Sequence, residues 1–213
     1  MVVAVIADIV GSRSIPDRAT AQRDLEAALV RVASEMSETA ALSPLRPVVG
    51  DELQGLYPDL AAAVAATLLL RLTLPDQVDC RFGLGIGAVE AIPSTGPTLS
   101  EGPAWWAARE AIETVEALAH RTVPSARTWV CAAAGATAQT SELVRVTNAG
   151  LLARDRVIGH MSARTRRLTF GRCLGGTQQE LAESEAITQP AVSQALATAE
   201  AAALVEGYRA LRG

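Results

Sequence analysis

Aromatic residues make up only 3% of the sequence although 49% of it is hydrophobic. A core can therefore be built only from Ala, Leu and Val for the most part. Lysine is absent, and all 19 basic residues are Arg, a compositional bias of the source before it is a mechanism. Cysteine is scarce as well. Cys80, Cys131 and Cys173 are odd in number, far apart and without a CxxC pair, which excludes a disulfide framework and a zinc site and leaves reduced structural thiols. No apolar run approaches the roughly eighteen residues of a membrane span. The opening Met1 to Asp8 lacks a basic leader and reads as a strand. A soluble, cytoplasmic protein is expected.

The 213 residues suit one large domain, or a medium one with a small appendage, and suffice to bury a core without staples. The net charge of −4 is unevenly spread. Residues 1 to 150 carry 11 Arg against 17 acids, and residues 151 to 213 carry 8 Arg against 6 acids. The C-terminal part is the basic one.

Val2 to Ala7 is a continuous β-branched run that predicts a central strand covered on both faces. Asp8 ends it, and Ile9 to Arg13 follow as a loop whose Gly11 and Ser12 can turn N–H groups towards an anion. A helix from about Thr20 carries Leu25, Leu29, Val32 and Met36 on one face. Pro44 and Pro47 bracket the entry to a hairpin, Val48 to Gln54. Pro58 and Asp59 open a second helix with Leu60, Val64, Leu68 and Leu72 on its buried side. Val78 to Ala88 alternates apolar residues with Asp79, Arg81 and the three glycines 83, 85 and 87. A face of glycines lets another backbone, a helix or a ligand come close, and a packed helix is the plainer reading. Pro103 starts a third helix to His120, with Trp105, Ala108, Ile112, Val115 and Ala119 as its stripe and Trp106, Arg109, Glu113 and Glu116 opposite. Arg109 could clamp an anion beside Trp106, or lie solvated across the ring. Thr128 to Ala132 reads as a last strand. Helices alone follow from about Thr140, with Leu143, Val146, Leu151, Leu152, Val157 and Ile158 as an imperfect stripe, so a boundary is placed at 138/139.

Three acids stand out. The hairpin presents Asp51 and Glu52 at its tip beside Gly50, and Asp8 ends the first strand. If the two runs are sheet neighbours, Asp8 and Asp51 converge. Paired carboxylates repel unless a cation or shared proton relieves them, and a divalent ion such as Mg²⁺ with phosphate oxygens is a common solution. Alone, the Gly-Asp pair reads as only a turn, and it is Asp8 that adds weight to a site.

Thr177 to Leu196 fits two short helices joined by a turn, with Leu181, Ala182, Ile187, Val192 and Leu196 at core positions. Thr177 with Glu180 forms a capping box, Thr188 caps the second helix, and Pro190 sits in its first turn. The pattern, about residues 177 to 197, is that of a helix-turn-helix, with Ala186 where a turn Gly is usual. Gln189, Ser193 and Gln194 would face base edges, with Arg164, Arg166 and Arg167 on phosphates. Glu180, Glu183 and Glu185 near that surface oppose this. A helical hairpin for dimerisation or protein binding fits the same pattern.

Asp8-Ile9-Val10-Gly11-Ser12, Val49-Gly50-Asp51, Arg81 to Gly85 and Ala107-Ala108-Arg109 together resemble the core of class III nucleotidyl cyclases. The Gly50 to Gly55 hairpin, the Gly102 to Ala111 helix start and the C-terminal two-helix unit are similar to the SatD family, over nearly the whole chain. The resemblance implies an α/β (α+β) protein: a ferredoxin-like nucleotidyl-cyclase-type domain, 1–138, followed by an all-α helix-turn-helix domain, 139–213. It implies Asp8, the Ile9 carbonyl and Asp51 as ligands of Mg or Mn, and Val10, Gly11, Ser12 and Arg13 around a nucleotide's phosphates. Arg109 matches the arginine that stabilises the cyclase transition state, and a homodimer is implied too. Trp105 stands where the cyclase pattern has Asn, and Pro47 where purine-reading cyclases have Lys, which sets cyclisation in question. The expected function is a DNA-binding transcriptional regulator whose degenerate cyclase-like domain binds a nucleotide and metal. The alternatives are a metal-dependent enzyme acting on a nucleoside triphosphate and a dimeric scaffold with vestigial sites.

Overall fold

The computed structural model describes residues 1–12, 15–36, 41–49, 51–92 and 99–213. Arg13 and Gly50 of the expected site, and most of the Pro93 to Gly102 loop, lie outside these. In chain order the elements are β1 (Val2–Ile9), α1 (Arg18–Glu35), β2 (Ser43–Val49), β3 (Glu52–Tyr57), α2 (Leu60–Thr73), β4 (Cys80–Gly87), β5 (Glu90–Ile92), β6 (Leu99–Glu101), α3 (Pro103–Arg121), β7 (Thr128–Ala132), α4 (Ala138–Gly159), α5 (Ala163–Cys173), α6 (Gln178–Ser184), α7 (Gln189–Thr198) and α8 (Ala201–Arg212). Five strands form one sheet in the order β2-β3-β1-β4-β7, and β5 pairs with β6 apart from it. From β2 to β4 each strand is antiparallel to its neighbour, and β7 joins β4 in parallel. The order β-α-β-β-α-β with β1 central is the ferredoxin-like arrangement.

Strand alternation sorts the core into two layers. Val3, Val5, Ala7 and Ile9 of β1, with Cys80, Phe82, Leu84 and Ile86 of β4, face α1 and α2. Ala4 and Ile6 face α3. The glycine face of β4 is a seat for this helix. A Cβ on Gly83 would stand 2.2 Å from the Ala108 carbonyl oxygen, and one on Gly85 1.9 Å from that of Ala104. Helix packing accounts for the glycines. The buried face of α3 is Ala104, Ala107, Ala108, Ala111, Ile112 and Val115; Trp105, expected in that stripe, is only half-buried.

The expected single stripe on α2 is too narrow. Leu60 and every residue from Ala63 to Leu72 are buried, because α5 and α8 cover the side of α2 that the sheet leaves open. A helix apolar all round needs partners all round. One continuous apolar cluster therefore runs from Val3 through Leu69 to Phe170 and Tyr208.

Both sheet edges are guarded. The edge strand β2 contains Pro44 and Pro47 and two register shifts against β3, devices that discourage further pairing. The other edge, β7, is covered by α4. Asn148 accepts from the Val130 N–H at 2.8 Å and donates to the Val130 carbonyl at 2.9 Å, as a neighbouring strand would. Asp155 accepts from the N–H groups of Arg127 and Thr128 at 2.8 and 2.7 Å. The inward stripe of α4 is thus Asn148, Leu151, Asp155 and Ile158. Leu143 and Val146, expected in it, are exposed.

Candidate functional site

A band of charge closes the end of the sheet where β1 stops. Asp8 follows Ile6 on the α3 side of β1, and its register partner on β4 is Arg81. The guanidinium grips both carboxylate oxygens, Nε to Oδ1 at 3.0 Å and Nη2 to Oδ2 at 2.9 Å. Its remaining Nη1 donates to Glu116 of α3 at 2.6 Å. On the other flank Ala7 pairs with Leu53, so one step further the ladder sets Glu52 beside Asp8. Glu52 accepts from Arg109 of α3 at 2.7 Å and from Gln54 at 2.9 Å. Arg81 is 11% exposed and Arg109 48%. Burial works against the Arg81 charge, but hydrogen bonds and charge from Asp8 and Glu116 outweigh it and raise the guanidinium above its ordinary value.

Of the residues expected to bind metal, Asp8 lies in this cluster, Ile9 is the buried last residue of β1, and Asp51 sits in the β2–β3 turn. Asp51 and Asp8 do share one end of the sheet. Burial pushes the Cys80 thiol well up, and Asp79, Asp8 and Asp51 add to the push. The acid beside Asp8 on the α3 side, however, is Glu52. Of the expected phosphate loop, the Val10 N–H donates to the Asp79 carbonyl at 2.8 Å, so that donor is already used. Gly11 takes a φ of 65°, a turn conformation suited to glycine, and Ser12 follows half-buried. Trp106 is 71% exposed, and Arg109 turns to Glu52 instead of lying over its ring. Arg81 and Glu116 were missed as site residues, whereas Glu52, presented with Asp51 at the hairpin tip, is the one that turns to α3. The register signal for Arg81 was present, since an Asp ending one strand and an Arg starting its neighbour are natural cross-strand partners.

The C-terminal surface is built on α6 and α7. Thr177 and Glu180 cap each other's backbone N–H groups, Thr188 caps α7, and Ala182, Val192 and Leu196 are buried between the helices. Ala186 in the turn has a φ of 52°, a left-handed conformation awkward for a residue with a Cβ. Gln189, Ser193 and Gln194 are exposed, with Gln189 donating to Gln178 at 3.2 Å and Gln194 to Thr198 at 3.0 Å. The arginines nearby are engaged. Arg167 forks onto Glu185 with both contacts at 2.6 Å, and Arg164 lies 3.8 Å from the same carboxylate. Arg166 reaches back to the Leu74 carbonyl and Asp76 beyond α2.

Residues 2–132 match the SatD family. The chain belongs to the SatD family. No curated protein sequence matches it. Among solved structures, the guanylyl cyclase Cya2 matches with a TM-score of 0.41 at 15% identity, over 53% of this chain and 69% of its own. Two structures of a bacterial light-regulated adenylyl cyclase match with TM-scores of 0.40 and 0.41 at 16% and 15% identity. Each covers 57% of this chain, which spans only 40% and 41% of theirs.

The SatD match ends with β7, so α4 to α8 lie beyond it. Within the matched region a divalent cation does not fit the donor set as built. Both Asp8 oxygens accept from Arg81, whose guanidinium brings the positive charge that a metal would otherwise supply. Among the described residues no group of three or more His, Cys, Asp or Glu is placed to hold a metal ion, nor is any helix long and apolar enough to cross a membrane. What the cluster of this SatD chain offers chemically is two guanidinium groups held by carboxylates, Arg81 in a fork on Asp8 and Arg109 by a single contact to Glu52, donors suited to planar or tetrahedral oxyanions.

Proposed function

We propose that this SatD family chain is a nucleotidyl-cyclase-like protein that binds a nucleoside triphosphate at the end of β1 and does not cyclise it. The observation that carries this reading is the convergence of Arg81 and Arg109, from β4 and α3, on the two acids at one end of the sheet. Ribose chemistry lacks support from α3. The Asn of the cyclase pattern is Trp105 here, and its Nε1–H donates to Ser100 at 3.1 Å. An oriented donor to a developing charge is commonly worth about 10²- to 10³-fold in rate, so its loss favours binding over turnover.

The test is titration of the full-length chain with labelled nucleoside triphosphates, followed by chromatography of the incubated mixture. Saturable binding of at least one nucleotide is expected, with no cyclic product. Arg109→Ala, at an exposed position, should weaken binding about tenfold. Absence of saturable binding for every nucleotide would retire the reading, and a cyclic product would replace it with the enzymatic one.

A second reading concerns α6 and α7. Two short capped helices that present Gln189, Ser193 and Gln194 to solvent support double-stranded DNA binding through a helix-turn-helix, with two copies in a homodimer. Because Glu185 engages Arg164 and Arg167, phosphate contacts would require those pairs to open. Affinity for duplex DNA that falls steeply with salt and drops on Gln189→Ala with Gln194→Ala is the expected result. Salt-independent or absent binding speaks for a helical hairpin that meets protein.

A further inference from the structure

The charge cluster carries an inference about how such a site is held shut, and it rests on the triphosphate reading above. A carboxylate–metal site needs its acids to bind ligand, whereas here each acid occupies an arginine. Asp8 takes two of the donors of Arg81, Glu116 a third, and Glu52 takes Arg109. A phosphate chain entering from the solvent side, where Asp8 is 30% exposed and Arg109 48%, meets the same donors that these acids hold.

We infer that Asp8 and Glu52 are internal competitors of phosphate for Arg81 and Arg109, so that the site takes a triphosphate group without a divalent metal and binds it more tightly when either acid is neutralised. The physical balance is an exchange of one charge-assisted fork for another. The incoming group carries more charge than a carboxylate, while the displaced acids lie near enough to the surface to be rehydrated. Divalent cations act on the ligand's side only, by reducing the charge of the free triphosphate.

The two models predict opposite signs. Full-length wild type, Asp8→Asn, Glu52→Gln and the control Glu113→Gln are titrated by calorimetry with ATP, GTP and inorganic triphosphate, in a chelator and again in Mg²⁺. Glu113 is an exposed acid of α3, the helix that carries Arg109, and controls for the change in net charge. Neutralising Asp8 or Glu52 should tighten binding about five- to tenfold in low salt, with Glu113→Gln within about twofold of wild type. Wild-type affinity in the chelator should be at least as tight as in Mg²⁺, because the metal-free triphosphate carries more charge. Equal gains for inorganic triphosphate and the nucleotides assign the effect to the phosphate chain, and gains confined to the nucleotides overturn that assignment. Binding that needs Mg²⁺, or that is abolished by Asp8→Asn, overturns the inference while leaving triphosphate binding intact. Failure of every probe to bind any of the four proteins overturns the triphosphate reading itself. Should Asp8→Asn unfold, Glu52→Gln, whose partner Arg109 is half exposed, gives the same sign test.

Discussion

A carboxylate sealed from water must find donors within the protein, and Asp155 finds them on three elements. It is fully buried. Arg71 of α2 donates to it at 2.7 Å, its neighbour Arg154 at 3.1 Å, and the Arg127 and Thr128 N–H groups at 2.8 and 2.7 Å. Arg154 is itself enclosed, and burial lowers its guanidinium below the ordinary value against the pull of Asp155. Removing one member of such a set leaves the others buried and uncompensated, which typically costs about 3–5 kcal/mol. Asp155→Asn should therefore lower the free energy of unfolding by roughly that amount. It keeps the shape but sets an amide N–H₂ against donors. Urea unfolding followed by circular dichroism measures it, and a loss below about 1 kcal/mol, the range of an exposed pair, would mean that the network is not what joins α4 to the sheet.

At the scale of elements, the α6–α7 turn carries its strain at one residue. Ala186 occupies a left-handed conformation, φ 52°, that costs an L-residue about 1–2 kcal/mol and glycine almost nothing. Part of the gain from Ala186→Gly is lost to the greater freedom of the unfolded chain, roughly 0.4–1 kcal/mol. A net rise of about 1–3 °C in melting temperature is expected for a chain of this size, and a fall would show that the Ala186 methyl makes a contact worth more than the strain. That turn was legible in the sequence, because the capping residues Thr177, Glu180 and Thr188 carry a local signal, although Ala186 stands where a glycine is usual. So were the glycine face of β4, the strands and the Pro-initiated α3. The inward stripe of α4 was not. Asn148 and Asp155 lie there for their hydrogen bonds to β7, and hydrophobic periodicity passes over polar residues and promotes exposed ones such as Val146 in their place. The site was half legible for a related reason. Asp8 could be found from the end of its strand, but its partner depended on strand order, which brings Arg81 from 73 positions away.

The whole molecule hangs on α2, which is clasped by the sheet on one side and by α5 and α8 on the other. With one core continuous from β1 to α8, titration of groups in distant elements registers in a single stability curve. Burial pushes the Tyr57 phenol from 10.0 up to about 12 and the Cys173 thiol from 9.0 up to about 12, and lifts half-buried Cys131 from 9.0 to about 11. These groups are raised in the fold, so the unfolded chain releases their protons first. Their contribution is intact below about pH 9 and is lost as pH climbs through the folded values. On the acid side the fork from Arg167 holds Glu185 below its ordinary 4.5. A depressed carboxylate stabilises above its unfolded value and loses that contribution as pH falls through the folded one. The urea midpoint should therefore form a plateau between about pH 5 and 9 and decline on both sides. Tyr57→Phe removes one of the alkaline titrations without removing the ring from the core. It should flatten the decline between about pH 10 and 12 while leaving the acid limb in place. An alkaline limb identical in Tyr57→Phe and wild type would show that the phenol reaches water in the native state, and that the packing of β3 against α1 and α2 opens before the rest of the core.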